Sequence, residues 1–89
     1  MGDNNGMKRA SATEIRDLLV AELATILQLQ ESEISTSKTF DEYGLDSMDA
    51  VIVVGLVEER LDMELEPELL LRNRSIDEVV NALKELGIV

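Results

Sequence analysis

The chain has 89 residues, 45% of them hydrophobic, with a net charge of −11 from 19 acidic and 8 basic residues. It holds no cysteine and no histidine, which excludes disulfides, thiolate and histidine metal sites, a cysteine nucleophile and a Ser-His-Asp triad. The negative field makes nucleic acid and anionic membranes poor partners, and a basic patch on another protein a good one. The same charge also serves plain solubility.

The length suits one small domain with a thin core. Leu, Ile, Val and Ala must supply that core, because there is one Phe, one Tyr and no Trp. Good helix formers dominate and strand-forming aromatic residues are nearly absent. The expected class is all-α: a small four-helix bundle with three longer helices, a short third one, and a long loop between the first two. No apolar run approaches the ~20 residues that cross a bilayer. The opening MGDNNGMKR has no apolar centre to make a secretory signal. Gly6 stands where a myristoylation site needs Ser or Thr. Residues 1–10 read as a mobile polar tail, and a monomer in the cytoplasm is the expectation.

The first helix is predicted from Ala12 to Leu29. Ser11 and Glu14 have capping-box spacing, and Ile15, Leu18, Leu19, Leu23, Ile26 and Leu27 form one stripe. Residues 30–46, QESEISTSKTFDEYGLD, keep no helical period and read as loop. That is long for so small a domain, and Ile34, Phe40, Tyr43 and Leu45 are the residues that would pin it.

The second helix is predicted from Ser47 to Leu61. Its run DAVIVVGLV is rich enough in β-branched residues to be a buried strand. Its flanks, DSMD and EERLD, favour helix, and no partner strand is visible. Met48, Val51, Ile52, Val54, Leu56, Val57 and Leu61 exceed one stripe, so part of that apolar surface is expected to face solvent or a partner. Gly55 reads as a close helix contact. A lining of Val51, Val54, Leu56, Ile76 and Val80 would permit a small cavity, or would be plain core.

Pro67 fits the first position of a short third helix ending at Leu71, with Asn73 and Arg74 breaking it. The last helix starts at Ser75, with a second capping box to Glu78. Its stripe is Ile76, Val79, Val80, Leu83 and Leu86, and Gly87 ends it.

The candidate site is the start of the second helix. Gly44 allows a sharp turn, the Asp46 carboxylate can accept free N–H groups of the first turn, and Ser47 is left exposed. A helix N-terminus favours negative charge, so a phosphate ester on the Ser47 hydroxyl would sit in a favourable field. As a dipeptide, Asp-Ser is also ordinary capping. Gly44-Leu45-Asp46-Ser47-Met48, with Phe40 ahead of it and Asp49, Glu58, Glu59, Asp62 and Glu64 behind it, resembles the attachment motif of the acyl carrier protein family. That family includes the carrier domains of polyketide and nonribosomal peptide synthases. The resemblance covers about residues 12–86, within an expected carrier domain of 11–89.

The resemblance implies that Ser47 carries 4′-phosphopantetheine, placed by a phosphopantetheinyl transferase from coenzyme A with Mg²⁺. Its thiol would hold acyl intermediates of fatty acid, polyketide or specialised lipid synthesis as thioesters. The protein itself would be a non-catalytic carrier, and it would need no cysteine of its own. It would meet acyl-loading ligases or acyltransferases, ketosynthases and other synthase enzymes with basic patches. Partner recognition would fall to Asp46, Met48, Asp49, Val51, Ile52, Glu58 and Glu59. Carriers of fatty acid synthesis usually have an acid and a methionine at the positions of Ile52 and Gly55, and Ala at that of Leu45. They are mostly acidic where Arg72 and Arg74 stand here. These departures lean towards a specialised carrier, with aminoacyl cargo an alternative.

Three other classes compete. A small acidic helical interaction module without a prosthetic group would use Ser47 only as a cap. A calcium sensor lacks the spacing of an EF-hand loop, because DEYGLDSMD has no alternating ligands. A serine hydrolase lacks a base for Ser47.

Overall fold

The structure is a computed structural model that describes residues 10–89. Its elements are α1 (Ala12–Leu27), a single 3₁₀ turn (Glu31–Glu33), α2 (Ser47–Leu61), α3 (Glu68–Arg72) and α4 (Ile76–Glu85). The described residues form an all-α bundle with no strand, only an isolated bridge between Thr39 and Ser75.

Residue spacing explains the core. Ile15, Leu19 and Leu23 recur every four residues on α1, and Val53, Val57 and Leu61 do so on α2. Ile76, Val79, Val80 and Leu83 supply the buried face of α4. These three stripes meet in one apolar cluster, and fully burying each such side chain is worth roughly 1.5–3 kcal/mol. α1 packs against both α4 and α2, whereas α3 contacts α4 and has no fully buried residue.

Several sequence expectations need correction. The tail reading of residues 1–10 fails at its last residue, because Ala10 is buried in the core cluster. The rest of that reading lies outside the described residues. α1 stops at Leu27, two residues early. Gln28 turns left-handed (φ 58°), and the Leu29 N–H returns to the Ala24 carbonyl at 2.9 Å. That closure satisfies carbonyls the helix would otherwise leave open. α2 has the expected bounds, but Val53, absent from the expected stripe, is at its centre. Gly55 marks no close contact: it is exposed, and an added Cβ would meet nothing within 4 Å.

α3 is displaced by one residue. Pro67 has helical dihedrals but flanks the helix, which runs on to Arg72. On α4 the Ser75 hydroxyl caps as expected, accepting the Glu78 N–H at 3.2 Å. The expected box does not close, because the Glu78 carboxylate accepts the Arg74 N–H instead, at 2.8 Å. Leu86 is not core: it is 65% exposed at the helix end, just before Gly87 (φ 76°).

The long loop is stitched down rather than loose. The Phe40 N–H donates to the Arg74 carbonyl (2.8 Å) and the Asp77 N–H to that of Thr36 (3.0 Å). Ile34, Phe40, Tyr43 and Leu45 are half-buried against the core, as expected. The Tyr43 hydroxyl accepts the Ser35 N–H at 2.6 Å and lies 3.2 Å from the Ser35 carbonyl oxygen. Lys38 caps the Tyr43 ring at 4.6 Å. The Glu42 carboxylate takes the Thr39 N–H at 2.8 Å, a bond that holds it below the usual carboxylate range. This scaffold delivers the chain to the start of α2.

Candidate functional site at the start of α2

Gly44 (φ 79°) turns the loop, and the Leu45 N–H bonds back to the Phe40 carbonyl at 3.1 Å. Asp46 is the N-cap of α2. Its carboxylate accepts the Asp49 N–H at 3.0 Å, and the Asp49 carboxylate accepts the Asp46 N–H at 3.3 Å. The first-turn N–H of Asp49 above all, with that of Met48, holds the Asp46 carboxyl below its ordinary range. Asp46 therefore stays an anion and is a weak base.

Ser47 is the first residue of α2 and is exposed. It stands at the edge of an apolar groove of about 580 Å³. One wall is α2, through Ala50, Val51 and Val54. Phe40 and Leu45 come from the loop, and Leu65, Pro67, Leu70 and Leu71 come from the opposite side. Of the cavity lining expected from sequence, Val51 and Val54 are there. Ile76 and Val80 are buried core, and Leu56 lies outside the groove. The α3 wall was not foreseen. Its signal is the run Leu69-Leu70-Leu71, too short to show a period. Arg74 and Asp41 also line the groove, 3.4 Å apart as an exposed ion pair.

Met48, Val51 and Ile52 are 74%, 71% and 50% exposed, and Leu71 across the groove is 77% exposed. Ile52 thus does not pack inward. The residues assigned to partner recognition divide. Asp46 and Val51 line the groove with the serine, Met48 and Ile52 are exposed on the same helix, and Asp49 is folded back onto the cap. Glu59 is exposed at the far end of α2. The Glu58 carboxylate is engaged within the chain, accepting the Leu65 N–H at 2.8 Å and tying α2 to the segment that leads into α3. No group of metal-ligating side chains occurs among the described residues.

The arrangement presents a hydroxyl for modification, and the adjacent carboxylate is committed to the helix cap; the sequence has no histidine to pair with it. A phosphodiester on Ser47 fits the exposed first turn, favoured by the helix dipole and opposed by the Asp46 charge.

Residues 17–83 match the family model described as a phosphopantetheine attachment site. An acyl carrier protein from Campylobacter concisus is 32% identical over 74 residues, 83% of this chain and 92% of that one. A non-reducing polyketide synthase from Aspergillus brasiliensis is 30% identical over 76 residues, 85% of this chain but only 3% of the synthase. Among solved structures, an acyl carrier protein from Anabaena sp. PCC 7120 with a variant phosphopantetheinylation-site sequence has a TM-score of 0.79 at 32% identity. The match covers 89% of this chain and 90% of that one. A free-standing peptidyl carrier protein from an Acinetobacter baumannii secondary metabolic pathway has a TM-score of 0.76 at 26% identity, covering 86% and 96%.

The family match over residues 17–83, with the four-helix fold shared with solved carriers, makes this a phosphopantetheine-binding carrier fold. The chain belongs to the acyl carrier protein family. Membership implies covalently attached 4′-phosphopantetheine as its cofactor.

Proposed function

We propose that Ser47 carries the 4′-phosphopantetheine and that the protein is a non-catalytic shuttle for acyl groups between separate enzymes. The observation that carries this reading is the exposed Ser47 at the edge of an apolar groove, inside the matched region. The prosthetic group supplies a thiol to a chain that has none. In loading, the Ser47 oxygen forms the new bond to the phosphopantetheine phosphorus of coenzyme A as the pyrophosphate bond to the departing adenosine 3′,5′-bisphosphate breaks, and the hydroxyl proton leaves to a base on the transferase, because Asp46 is held as a weak base. Gly44 and Leu45 shape the turn that the transferase meets, and Asp46 fixes the helix start. Met48, Val51 and Ile52 make the neighbouring contact surface.

The groove favours an aliphatic cargo lying along Val51, Val54 and Leu70. The pathway reading favours polyketide or other specialised synthesis over housekeeping fatty acid synthesis. Its support is the apolar face of α2 and the similarity to a segment of fungal polyketide synthases. Aminoacyl cargo is the second reading, favoured by the likeness to a free-standing peptidyl carrier. The partners are then a transferase, a loading ligase or acyltransferase, and ketosynthase-type enzymes whose basic rims meet the acidic surface. The protein acts as a cytoplasmic monomer.

The test is intact mass after incubation with coenzyme A, Mg²⁺ and a broad-specificity phosphopantetheinyl transferase. Wild type gains one phosphopantetheine and Ser47→Ala gains none while keeping its fold. A folded wild type that gains nothing with several transferases returns Ser47 to a helix cap. For the pathway, elongation on this carrier by fatty acid synthase enzymes at the rate of their own carrier would overturn the specialised reading.

A further inference from the structure

A second groove, of about 410 Å³, lies between the α2–α3 connection, α3 and the end of α4. It shares only Leu65 with the groove beside Ser47. α3 divides the two: Leu70 and Leu71 face the first, Leu69 and Arg72 the second. The second groove has an apolar floor of Met63, Leu69, Leu86 and Ile88. Leu86, at 65% exposure, is among the most exposed large apolar side chains described. Its rim carries the exposed carboxylates of Glu64, Glu66, Glu68 and Glu85 against one guanidinium, Arg72.

We propose that this groove is a second docking surface, taking a short basic amphipathic helix from a partner protein. The apolar side of that helix would sit on the floor, and its lysines or arginines against the glutamate rim. An apolar strip bordered by charge is the pattern that helix-in-groove recognition uses. The charge balance selects the occupant. A second copy of this chain brings another −11 and is repelled, as is an anionic bilayer. A basic segment is attracted at long range, and apolar contact then orders it. Cargo attached at Ser47 has its own groove on the other side of α3. A partner seated here leaves the Ser47 end of α2 free, so a carrier could stay tethered to one enzyme while another visits its arm. The docking does not depend on the carrier reading; that benefit does.

The experiment uses the full-length chain, ¹⁵N-labelled and loaded at Ser47. It is titrated with a peptide of about four helical turns, leucines on one face and lysines on the other, and with a scrambled peptide of the same composition. Shifts at the Leu69, Arg72, Ala82 and Leu86 amides are expected. Affinity should fall about tenfold on scrambling, in Leu86→Gln, and in the Glu68→Gln/Glu85→Gln double variant. All three positions are exposed, so these variants fold. No binding, equal binding of the scrambled peptide, shifts confined to Met48–Ile52, or an unchanged affinity in Leu86→Gln would each overturn the proposal. Mass gain at Ser47, which Leu86→Gln leaves intact, reports the carrier reading separately.

Discussion

α3 and α4 adjoin in the chain and are built to opposite ends. α4 buries Ile76, Val79, Val80 and Leu83, and its start is locked by the buried Ser75. α3 buries nothing completely and leaves Leu71 77% exposed, although it too is rich in leucine. Leucine content therefore does not measure a helix's share in stability. Position does: α4 lies on α1, while α3 spans the space beside α2 and walls two grooves. The side that holds the fold and the side proposed to meet ligands and partners are separate, so the second can change at small cost to the first. Elements with few buried contacts also open most readily.

The largest test of this contrast pairs two leucines. Leu83→Ala should cost about 3 kcal/mol in denaturant unfolding through the cavity it leaves. Leu71→Ala should cost less than about 0.5 kcal/mol, while weakening contacts made at the Ser47 end. Equal losses would break the comparison. Next in size is Ser75→Ala, which removes the cap of α4 and should cost about 1 kcal/mol. Hydrogen exchange should then rise first at the start of α4 and in the residues 36–40 stitched to it.

The smallest effect is pH-dependent. The Thr39 N–H holds the folded Glu42 carboxyl below its unfolded value. Its contribution is therefore complete above the unfolded pKa and lost as pH falls through the folded one. Glu42→Gln should be less stable than wild type at pH 7, and the two should converge only as pH falls below the ordinary carboxyl range, through the lowered folded pKa. A gap that persists in acid would mean that Glu42 acts by packing and not by charge.

The helices of the core side were legible because their period is local. Ile15, Leu19 and Leu23 announce α1, and Ser11 with Glu14 its cap, which closes as expected at 2.9 and 3.0 Å. The candidate motif, Gly44 to Met48, is equally local. Less was legible where one side chain had two possible partners. Glu78 has the spacing to cap α4, yet the Arg74 N–H claims it. Glu58 reads as a partner-facing acid, yet it holds the Leu65 N–H. In α2 too many positions are apolar for periodicity to rank them, so spacing does not single out the buried Val53, and a mid-helix glycine suggests a neighbour that Gly55 lacks.

The sequence by itself determined the helical class, the order of the helices, the place of Ser47 at a helix start and the lack of histidine and cysteine. These follow from composition, spacing and short-range capping, which act within a few residues along the chain. Only the tertiary structure decided which apolar face of α2 is core, that α3 stands as a wall between two grooves, and which carboxylates remain free. Those depend on which segments approach through space, and burial is a property of the neighbours rather than of the residue.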